Sequence, residues 1–350
     1  GAAGTSLAQL RERQDRGEAM KAMSVGAPTL ITTLHQAGKF DGIIGMGGTG
    51  GTSVITAAMR ALPIGVPKLC VSTAAAGDVA GYVGVKDIAM LPSIVDVAGI
   101  NRISRPIFTR AAGAIAGMVK AEVPAEPQGA RPIIAASMFG NTTECVNRCV
   151  SDLEEAGYEA LVFHCTGTGG RVMESLVDEG LVDAVLDITT TEWADEVCGG
   201  VFSAGPDRLS APGRSGIPHL IVPGCIDMAN FTGIAGVPEE YVKAGRNLYE
   251  WNTSVALMRT NRQENARMGQ VFAERANAAK GPVAFLIPTQ GVSILDGDGE
   301  PFADRDADQA FIDALREHLR EDIPVEEVAM NINDAEFSRK AVAMMLDLIQ

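Results

Sequence analysis

Apolar residues recur every three or four positions across the first 37 residues, which is the spacing of one face of an α-helix. The apolar positions that follow this spacing are Leu7, Leu10, Met20, Met23, Leu30, Ile31 and Leu34. A glycine and a proline, Gly26 and Pro28, interrupt the pattern. Because both residue types weaken helices, the pattern predicts two helices with a break near these positions.

Short β-favouring runs alternate with helical ones from residue 40 to residue 119. A strand at 40–44 leads into the glycine-rich stretch 45–52 and then into a helix at 53–62. The later elements are two strands and a helix, at 68–72, 88–91 and 101–119. This order is typical of βαβ units, in which helices join parallel strands.

The second half of the chain alternates in the same way, and more regularly. Its predicted strands lie at 133–136, 160–163, 184–188, 220–222, 283–287 and 325–328. Its predicted helices lie at 142–156, 171–178, 192–198, 262–279, 304–319 and 335–349. Such alternation predicts a parallel sheet covered by helices. We therefore expect an α/β fold of two Rossmann-like domains, each a mainly parallel sheet flanked by helices, with a cleft between them.

The stretch from Lys120 to Pro132 contains two further prolines, at 124 and 127, and no apolar period. Such stretches mark domain boundaries. We place an N-terminal domain at residues 1–122, a linker at 123–131 and a C-terminal domain at 132–350. The total length fits two domains, since a domain usually has about 100–200 residues.

Composition supports this division and narrows the set of partners. With 46% hydrophobic and 21% charged residues, the chain can bury substantial cores. Its net charge of −15 has the wrong sign for binding nucleic acid or an anionic membrane. The sequence has no apolar run of about 20 residues and its first residues do not resemble a signal peptide, so we expect a cytoplasmic protein. The six cysteines include no Cys-x-x-Cys, and we expect reduced thiols without structural zinc.

The string Gly-Thr-Gly-Gly occurs twice, at 48–51 and 167–170, each time between a predicted strand and a helix. Glycines let backbone N–H groups approach an anion closely, and a helix start adds about half a positive charge. Both loops therefore predict phosphate binding. The first loop lacks the lysine of a Walker loop, and Ser72 ends the second strand where a dinucleotide-binding fold has an acidic residue. The alternative is that both loops are tight turns needed only for packing.

Two residues near the second loop have two interpretations each. Arg171 is the expected charged contact to phosphate, or else it pairs with Glu174 or Asp178 on the surface of its helix. His164 ends an apolar strand, and for it we favour a buried, hydrogen-bonded histidine over a general base.

Loops after the other strands of a parallel sheet lie at the same edge and offer further polar groups. The run 189–192, Thr-Thr-Thr-Glu, offers hydroxyls, or else only a capping box that begins the next helix. Asp78, Asp96 and Asp227 are candidate Mg²⁺ ligands, because magnesium that accompanies a nucleotide often takes only one or two carboxylates. The candidate nucleotide-binding residues are Gly47, Gly48, Thr49, Gly50, Gly51, Thr52, Ser72, Thr73, Gly77, Asp78, Thr166, Gly167, Thr168, Gly169, Gly170, Arg171, Thr190, Thr191, Gly224 and Asp227.

Seven motifs, taken in order, resemble those of one known family. Besides the two glycine strings they are Ser-Thr-Ala-Ala-Ala-Gly-Asp at 72–78, Ile-Asn-Arg-Ile-Ser at 100–104, Asp-Ile-Thr-Thr-Thr-Glu at 187–192, Ser-Ala-Gly-Pro-Asp-Arg at 203–208 and Pro-Gly-Cys-Ile-Asp at 223–227. The chain resembles the uncharacterised bacterial, fungal and plant family that includes the tobamovirus-resistance protein of tomato. The resemblance runs from residue 6 to residue 348.

The resemblance implies two Rossmann-like domains, ATP bound near the cleft between them, with or without Mg²⁺, and frequently a homodimer. In plant and fungal members the domain is fused to a TIM barrel, and the plant protein blocks viral replication by binding the viral replicase. Family members usually open with a strand and an Asp-Thr-Lys-Gly stretch, whereas this chain begins after that point. The resemblance therefore leads us to expect a first domain without one strand and one site loop. It does not carry antiviral activity to this chain.

Three functions are open at this point. They are an ATP-binding enzyme or ATP-dependent regulator, a non-catalytic interaction module clamped by nucleotide, and a metabolic enzyme acting on a phosphorylated or carboxylated metabolite. The alanine-rich helix at 101–119 leads us to expect a homodimer. Aspartate at Gly51 or Gly170 is expected to abolish ATP binding without unfolding the protein, because its carboxylate would take the place of phosphate.

The linker composition predicts that limited proteolysis first cuts the folded chain between Lys120 and Arg131, because proteases attack exposed segments with few contacts. Mass spectrometry of the earliest fragments identifies the cut. Early cuts elsewhere, with this stretch intact, would show that the domain boundary is misplaced.

Overall fold

The computed structural model describes residues 2–124 and 129–350. The chain divides into two compact units, Gly1–Pro127 (unit 1) and Gln128–Gln350 (unit 2). The linker predicted at 123–131 includes residues 125–128, which lie outside the described residues. Each unit has its own parallel sheet.

Unit 1 begins with two helices, α1 (Leu7–Arg13) and α2 (Arg16–Gln36). Gln14 ends α1 in the left-handed conformation with φ of 48°, and the side chain of Asp15 caps the start of α2. Pro28 lies inside α2. The predicted break near Pro28 is therefore wrong, because the capping residue decides where the second helix begins and the longer helix accommodates the proline.

The rest of unit 1 is a three-stranded parallel sheet with its helices. Its elements are β1 (Ile43–Gly47), α3 (Thr49–Arg60), β2 (Lys68–Ser72), a 3-10 turn (Thr73–Ala76), α4 (Ala80–Val83), β3 (Ala89–Pro92) and α5 (Ser104–Lys120). The strand order is β1-β2-β3, and Gly47 pairs with Ser72 at the ends of their strands. The loops that follow β1 and β2 therefore leave the sheet side by side. Helix α5 buries only Ser104 and Ala111, and the homodimer expected through it stays a prediction.

Unit 2 is built on a six-stranded parallel sheet. In chain order, its first half has β4 (Ile133–Met138), α6 (Thr143–Glu155), β5 (Glu159–His164), α7 (Thr168–Asp178), β6 (Ala184–Thr189), α8 (Thr191–Cys198), α9 (Ala211–Ser215) and β7 (His219–Gly224). The second half has β8 (Met228–Phe231), α10 (Glu239–Lys243), β9 (Leu248–Asn252), β10 (Val255–Arg259), α11 (Arg262–Asn277), β11 (Val283–Pro288), α12 (Arg305–His318), β12 (Val325–Val328) and α13 (Ala335–Ile349). The strand order is β12-β11-β7-β6-β4-β5, so the winding direction reverses at β4.

Successive residues of the central strands face opposite layers of helices. Leu220 and Leu286 pack with residues of α6 and α13, whereas Ile221 and Phe285 pack with α11 and α12. The rings of Phe272 and Phe311 meet edge to face in the second layer, with centroids 5.2 Å apart. Helices on both faces of a parallel sheet confirm the predicted α/β fold class.

The predicted alternation misses a second sheet in unit 2. Strands β8, β10 and β9 form a three-stranded antiparallel sheet in that order, within a segment for which the sequence predicts no element. Strand β8 is buried along its whole length and most of β9 is exposed. Neither strand therefore shows the alternation of apolar and polar residues by which a half-buried strand is recognised.

All six cysteines are buried, and none forms a disulfide within the described residues. In the same part of the chain, no helix combines the length and the apolar character needed to span a bilayer.

Candidate functional site

The first glycine loop joins the end of β1 to the start of α3. A side chain at Gly47 would place its Cβ 3.1 Å from the Cα of Gly51, so a larger residue would require the turn to move by a few tenths of an ångström. Gly48 is the N-cap residue of α3 and has no side chain with which to cap this helix start. Thr52 is the first residue whose amide donates within the helix, to the carbonyl of Gly48 at 2.8 Å. The amides of the first turn, at residues 49–51, thus have no partner within the helix.

Hydroxyl groups tie this loop to the end of β2. The Thr52 and Ser72 hydroxyls lie 2.6 Å apart, and Ser72 Oγ also accepts a hydrogen bond from the amide of Ala74. Both hydroxyls are buried and hold the two loops together. Thr73 lies beside the first loop, because a Cβ on Gly48 would be 3.7 Å from its Oγ1. The structure thus brings together the predicted residues 47–52, Ser72 and Thr73.

A cation that the sequence analysis missed lies at the same loop. Arg16, the first residue of α2, has its Nη2 3.7 Å from the position that a Cβ on Gly50 would occupy. Arg16 and Gly50 are 34 positions apart in sequence, and only the packing of α2 on α3 places them together. No local signal could have identified this arginine.

The candidate magnesium ligands of unit 1 are exposed. Asp78 accepts a hydrogen bond from the amide of Ala80 at 2.9 Å, and Gly77 and Asp96 are also on the surface. Among the described residues, no group of three or more histidine, cysteine, aspartate or glutamate side chains is arranged to hold a metal ion.

The second glycine loop holds a carboxylate of the protein itself. Oε1 of Glu192 accepts hydrogen bonds from the amides of Gly167 at 2.8 Å and Gly170 at 3.1 Å. A Cβ on Gly170 would lie 2.0 Å from Oε2 of Glu192, and one on Gly169 would lie 1.9 Å from the carbonyl oxygen of His164. The amides that were expected to bind phosphate therefore hold a carboxylate of the protein itself.

The predicted capping box from Thr189 to Glu192 is wrong. The N-cap residue of α8 is Thr190, and no side-chain hydrogen bond caps that helix. The carboxylate of Glu192 points to the glycine loop and to Arg208 Nε, 2.7 Å away. The positive charge of Arg208 and the amides of Gly167 and Gly170 thus bind Glu192 in preference to a local capping box.

Arg208 is the centre of a buried ionic cluster. Its guanidinium holds Asp187 through two bonds of 2.6 Å, in addition to the contact with Glu192, and Glu174 lies 3.4 Å away. The ring of His219 is 3.3 Å from Asp187. Burial raises the pKa of Asp187, but the charge and hydrogen bonds of Arg208 outweigh this effect and hold that pKa below its ordinary value.

Arg171, the predicted charged contact, is exposed and lies outside this cluster. It bonds to the carbonyl of Gly167 and to Thr168 Oγ1, at 3.2 and 3.4 Å. The alternative pairing with Glu174 or Asp178 is wrong, because Glu174 accepts from backbone amides near Arg208 and Asp178 pairs with Arg214. Arg208 lies in the motif at 203–208, but nothing in the local pattern distinguishes it from a surface arginine.

His164 is exposed, so the expectation of a buried histidine is wrong. It ends β5, which is the edge strand of the sheet, and an edge strand has neighbours on one side only. Its ring lies 5.6 Å from that of Phe139. Thr166, two residues later, is half-buried.

The other predicted residues of unit 2 are interior. The hydroxyls of Thr190 and Thr191 donate to the carbonyls of Val222 and Met228, and Gly224 is packed so closely that a Cβ would lie 2.0 Å from the carbonyl oxygen of Ile188. Asp227 accepts a hydrogen bond from Ser293 at 2.7 Å, and burial raises its pKa to about 6. The side chains of Thr190, Thr191 and Asp227 thus bond to other parts of unit 2, and Gly224 allows close packing against Ile188.

The two parallel sheets, the βα glycine loops and the buried ionic cluster define the class of this protein as a two-unit Rossmann-like α/β protein. The chain belongs to the family described as uncharacterised protein family UPF0261. The model of that family's N-terminal domain matches residues 1–124, and that of its C-terminal domain matches residues 131–349. The resemblance inferred from the motifs is thus confirmed.

Curated relatives come from bacteria and from tomato. A UPF0261 protein of Clostridium tetani is 48% identical over 347 residues, which are 99% of this chain and 84% of the relative. One from Rhizobium meliloti is 47% identical over 336 residues, covering 95% of this chain and 82% of the relative. The ToMV resistance protein Tm-1(GCR237) of Solanum lycopersicum is 39% identical over 339 residues, covering 95% of this chain but only 45% of the tomato protein.

Replacing Gly170 with alanine should destabilise unit 2, whereas the matching change Gly51→Ala should not destabilise unit 1. The Gly170 methyl would displace the carboxylate of Glu192 from its two amides, and leaving such buried polar groups unpaired costs about 1–3 kcal/mol. A Cβ on Gly51 meets nothing within 4 Å. Urea unfolding of both variants measures the difference, and equal midpoints would show that Glu192 does not depend on the glycine.

Arg208→Met should lower the free energy of unfolding by about 3–5 kcal/mol at neutral pH, because it leaves buried carboxylates without their partner. Arg214→Met is the control, since the bidentate pair of Arg214 with Asp178 is exposed and should contribute about 1 kcal/mol or less.

The effect of Arg208→Met should also depend on pH. A carboxylate whose pKa is depressed on folding stabilises the protein above its ordinary pKa, about 4 for aspartate, and this contribution is lost on acidification below it. The difference between wild type and Arg208→Met should thus shrink as the pH falls through 4. A difference that stays constant from pH 7 to acid would contradict an ionised Asp187.

Proposed function

We propose that the protein binds the phosphate groups of a small molecule, with ATP as the first candidate, at the glycine loop of unit 1. The observation that carries the proposal is the open space at Gly51 in the first turn of α3, where a Cβ would meet no atom within 4 Å. The amides of that turn have no partner within the helix. A helix start with free amides and about half a positive charge favours an anion.

The glycine loop of unit 2 serves as an internal comparison. It has the same string, and its first and last glycines, Gly167 and Gly170, bind one carboxylate oxygen of Glu192. Gly48 and Gly51 are the corresponding residues of unit 1. A Cβ on Gly51 would meet no atom within 4 Å, whereas the corresponding position at Gly170 is filled by Glu192. The backbone differs at the N-cap residue, since Gly167 has a φ of 81° and Gly48 a φ of −78°. What the comparison supports is that the position filled by Glu192 in unit 2 is open to an external anion in unit 1.

This comparison changes the assignment made from the sequence. The loop at 167–170 was predicted to face phosphate as well, but a phosphate there would have to expel Glu192 from Arg208, 2.7 Å away in a fully buried pair. Such an exchange breaks a buried ion pair, which is strongly unfavourable. The phosphate proposal is therefore assigned to residues 47–52.

Two further groups near this loop could contact the phosphates of a nucleoside triphosphate. The guanidinium of Arg16 lies beside Gly50, and arginine can hold two phosphate oxygens at once. Thr73 adds a hydroxyl beside Gly48. Local positive potential is needed because the chain as a whole carries a net charge of −15, which repels a free nucleotide. Mg²⁺ bound with the nucleotide would reduce this repulsion, and Asp78 is the candidate carboxylate for it.

Gly51→Asp should weaken the binding of ATP at least about tenfold while the protein stays folded. Aspartate at the third position of α3 is favourable for the helix, Gly51 has no positive φ, and the added side chain has free space around it. Its carboxylate would sit where the phosphate is proposed. Isothermal titration calorimetry with ATP, with and without Mg²⁺, measures the affinity, and circular dichroism checks the fold.

Gly117→Asp is the matched control. It introduces the same charge into unit 1, at a site on α5 where a Cβ also meets nothing within 4 Å. The ATP affinity of Gly117→Asp should equal that of the wild type. The affinity of Gly51→Asp should fall at least about tenfold, which is a loss of about 1.4 kcal/mol in the free energy of binding. Wild-type affinity in folded Gly51→Asp would refute the loop as the phosphate site. Gly170→Asp is unsuited to this test, because its Cβ would lie 2.0 Å from Oε2 of the buried Glu192. We now expect this variant to be destabilised, in place of the expectation from the sequence that it keeps its fold.

Thermal shift assays decide which phosphorylated molecule binds. A ligand at about 100 times its Kd adds roughly 2.7 kcal/mol to the native state. ATP, ADP, sugar phosphates and acyl phosphates should be compared at equal concentration, and phosphate release measured for each ligand that stabilises the protein. Stabilisation by ATP without turnover favours a nucleotide-clamped module. Stabilisation by a metabolite but not by ATP favours a metabolic enzyme.

A further inference from the structure

A pocket of about 190 Å³ opens in unit 2 at the C-terminal end of β4. Residues after β4 and β5 form one side, and residues of the antiparallel sheet and its neighbouring loops form the other. The side chains that matter for its chemistry are Phe139, Asn141, His164, Thr166, Phe202 and Trp251. The pocket lies beside the C-terminal ends of the neighbouring strands β4 and β5. Crevices outside the carboxyl ends of the strands are where open α/β sheets bind ligands.

Aromatic rings form much of the pocket wall. The ring of Phe139 is 5.6 Å from that of His164 and meets Phe202 edge to face at 6.2 Å. Trp251 lines the pocket with 40% of its surface exposed. No aspartate, glutamate, lysine or arginine lines this pocket among the described residues. A wall of this kind favours a planar, uncharged ring over a charged group.

Asn141 gives the pocket a specific hydrogen-bonding group. Its residue is only 1% exposed, it lines the pocket, and its Oδ1 has no hydrogen-bond partner within the described residues. Its Nδ2 faces the sulfur of Met228 at 3.1 Å. A thioether sulfur accepts hydrogen bonds weakly and has no hydrogen to donate, so the amide nitrogen belongs on that side.

The backbone of Asn141 is also held in place. Its carbonyl accepts a hydrogen bond from the side chain of Asn333 at 3.0 Å. The residue is thus anchored on two sides while its acceptor oxygen is left unpaired. Buried acceptors in native proteins nearly always have a donor, and where the protein supplies none the donor is a water or a ligand group. The position of Asn141 in the pocket wall makes its oxygen the group that a ligand would meet.

We propose that this pocket binds one planar, uncharged heteroaromatic ring system that donates an N–H to Oδ1 of Asn141, as the amino group of an aminopurine does. The volume of about 190 Å³ is below the roughly 300–1,000 Å³ of pockets for drug-sized ligands, which leaves room for one ring system. The proposal concerns unit 2 alone and does not depend on phosphate binding by the loop of unit 1.

The test compares two probes that differ only in the donor. 9-Methyladenine carries the amino group, 9-methylpurine lacks it, and neither contains phosphate. Calorimetry on the full chain should show at least about tenfold tighter binding of 9-methyladenine, since a buried acceptor left unpaired is unfavourable. Binding should also quench tryptophan emission through Trp251, because the other tryptophan, Trp193, is only 4% exposed and does not line the pocket.

Two variants separate the hydrogen bond from the ring contacts. Asn141→Leu should remove the discrimination between the two probes. Trp251→Ala should weaken both probes alike and keep the discrimination. Circular dichroism checks each fold, and if Asn141→Leu does not fold, Asn141→Ala replaces it. If neither folds, the comparison of the two probes on the wild-type protein decides.

Three results would overturn the proposal. One is the absence of saturable 9-methyladenine binding to the folded wild-type protein at millimolar concentration. Another is equal affinity for both probes. The third is discrimination that persists in a folded Asn141 variant. Loss of ATP binding in Gly51→Asp, with 9-methyladenine binding intact, would separate this pocket from the proposed phosphate loop.

Discussion

One buried guanidinium, that of Arg208, organises the C-terminal end of the large sheet. A charged group in the interior is tolerated only when its partners are buried with it and its hydrogen bonds are made. Arg208 meets this condition through Asp187 at the end of β6, Glu192 on α8 and Glu174 on α7. The segment that carries Arg208 is thus tied to a strand and two helices at once. Loss of Arg208 would leave the buried Asp187 and Glu192 without their cationic partner.

The ionic cluster also decides what the second glycine loop does. Glu192 binds Arg208 with one carboxylate oxygen and the loop amides of Gly167 and Gly170 with the other. Its position is therefore set from both sides, and the loop is filled from within the protein. The loop of unit 1 has the same string, but among the described residues no atom lies within 4 Å of the Cβ position of Gly51, which corresponds to the position at Gly170 that Glu192 fills. Local sequence sets the capacity of such a loop to bind an anion, and the surrounding structure decides which anion is bound.

The pocket beside β4 follows a different principle. Its wall is aromatic and uncharged, and its specific group is the unpaired oxygen of Asn141. Trp251 belongs to the antiparallel sheet, which is an addition to the alternating βα pattern. The six-stranded sheet supplies the residues after β4 and β5, while the inserted strands supply the opposite side. In unit 2 the pocket therefore lies between the six-stranded parallel sheet and the inserted antiparallel sheet, which supplies the wall that contains Trp251.

The sequence by itself determined the fold class, because the period of apolar residues depends only on which face of each element is buried. Strand β12 and helix α13 are predicted to the residue, and the seven motifs identify the family. The two glycine strings are recognisable as strand-to-helix loops from their neighbours alone. These features are local, so the amino-acid order is sufficient to specify them.

Only the tertiary structure decided which predicted residues lie together, which are buried, and which glycine loop is occupied by a side chain of the protein. His164 is exposed because β5 is an edge strand, and strand order is not encoded in a local period. Glu192 leaves its expected capping role because Arg208 and the loop amides, distant in sequence, bind it more strongly. Arg16 reaches the first loop only through the packing of α2 on α3. Each of these outcomes depends on contacts between residues far apart in the chain, and a local sequence pattern carries no information about such contacts.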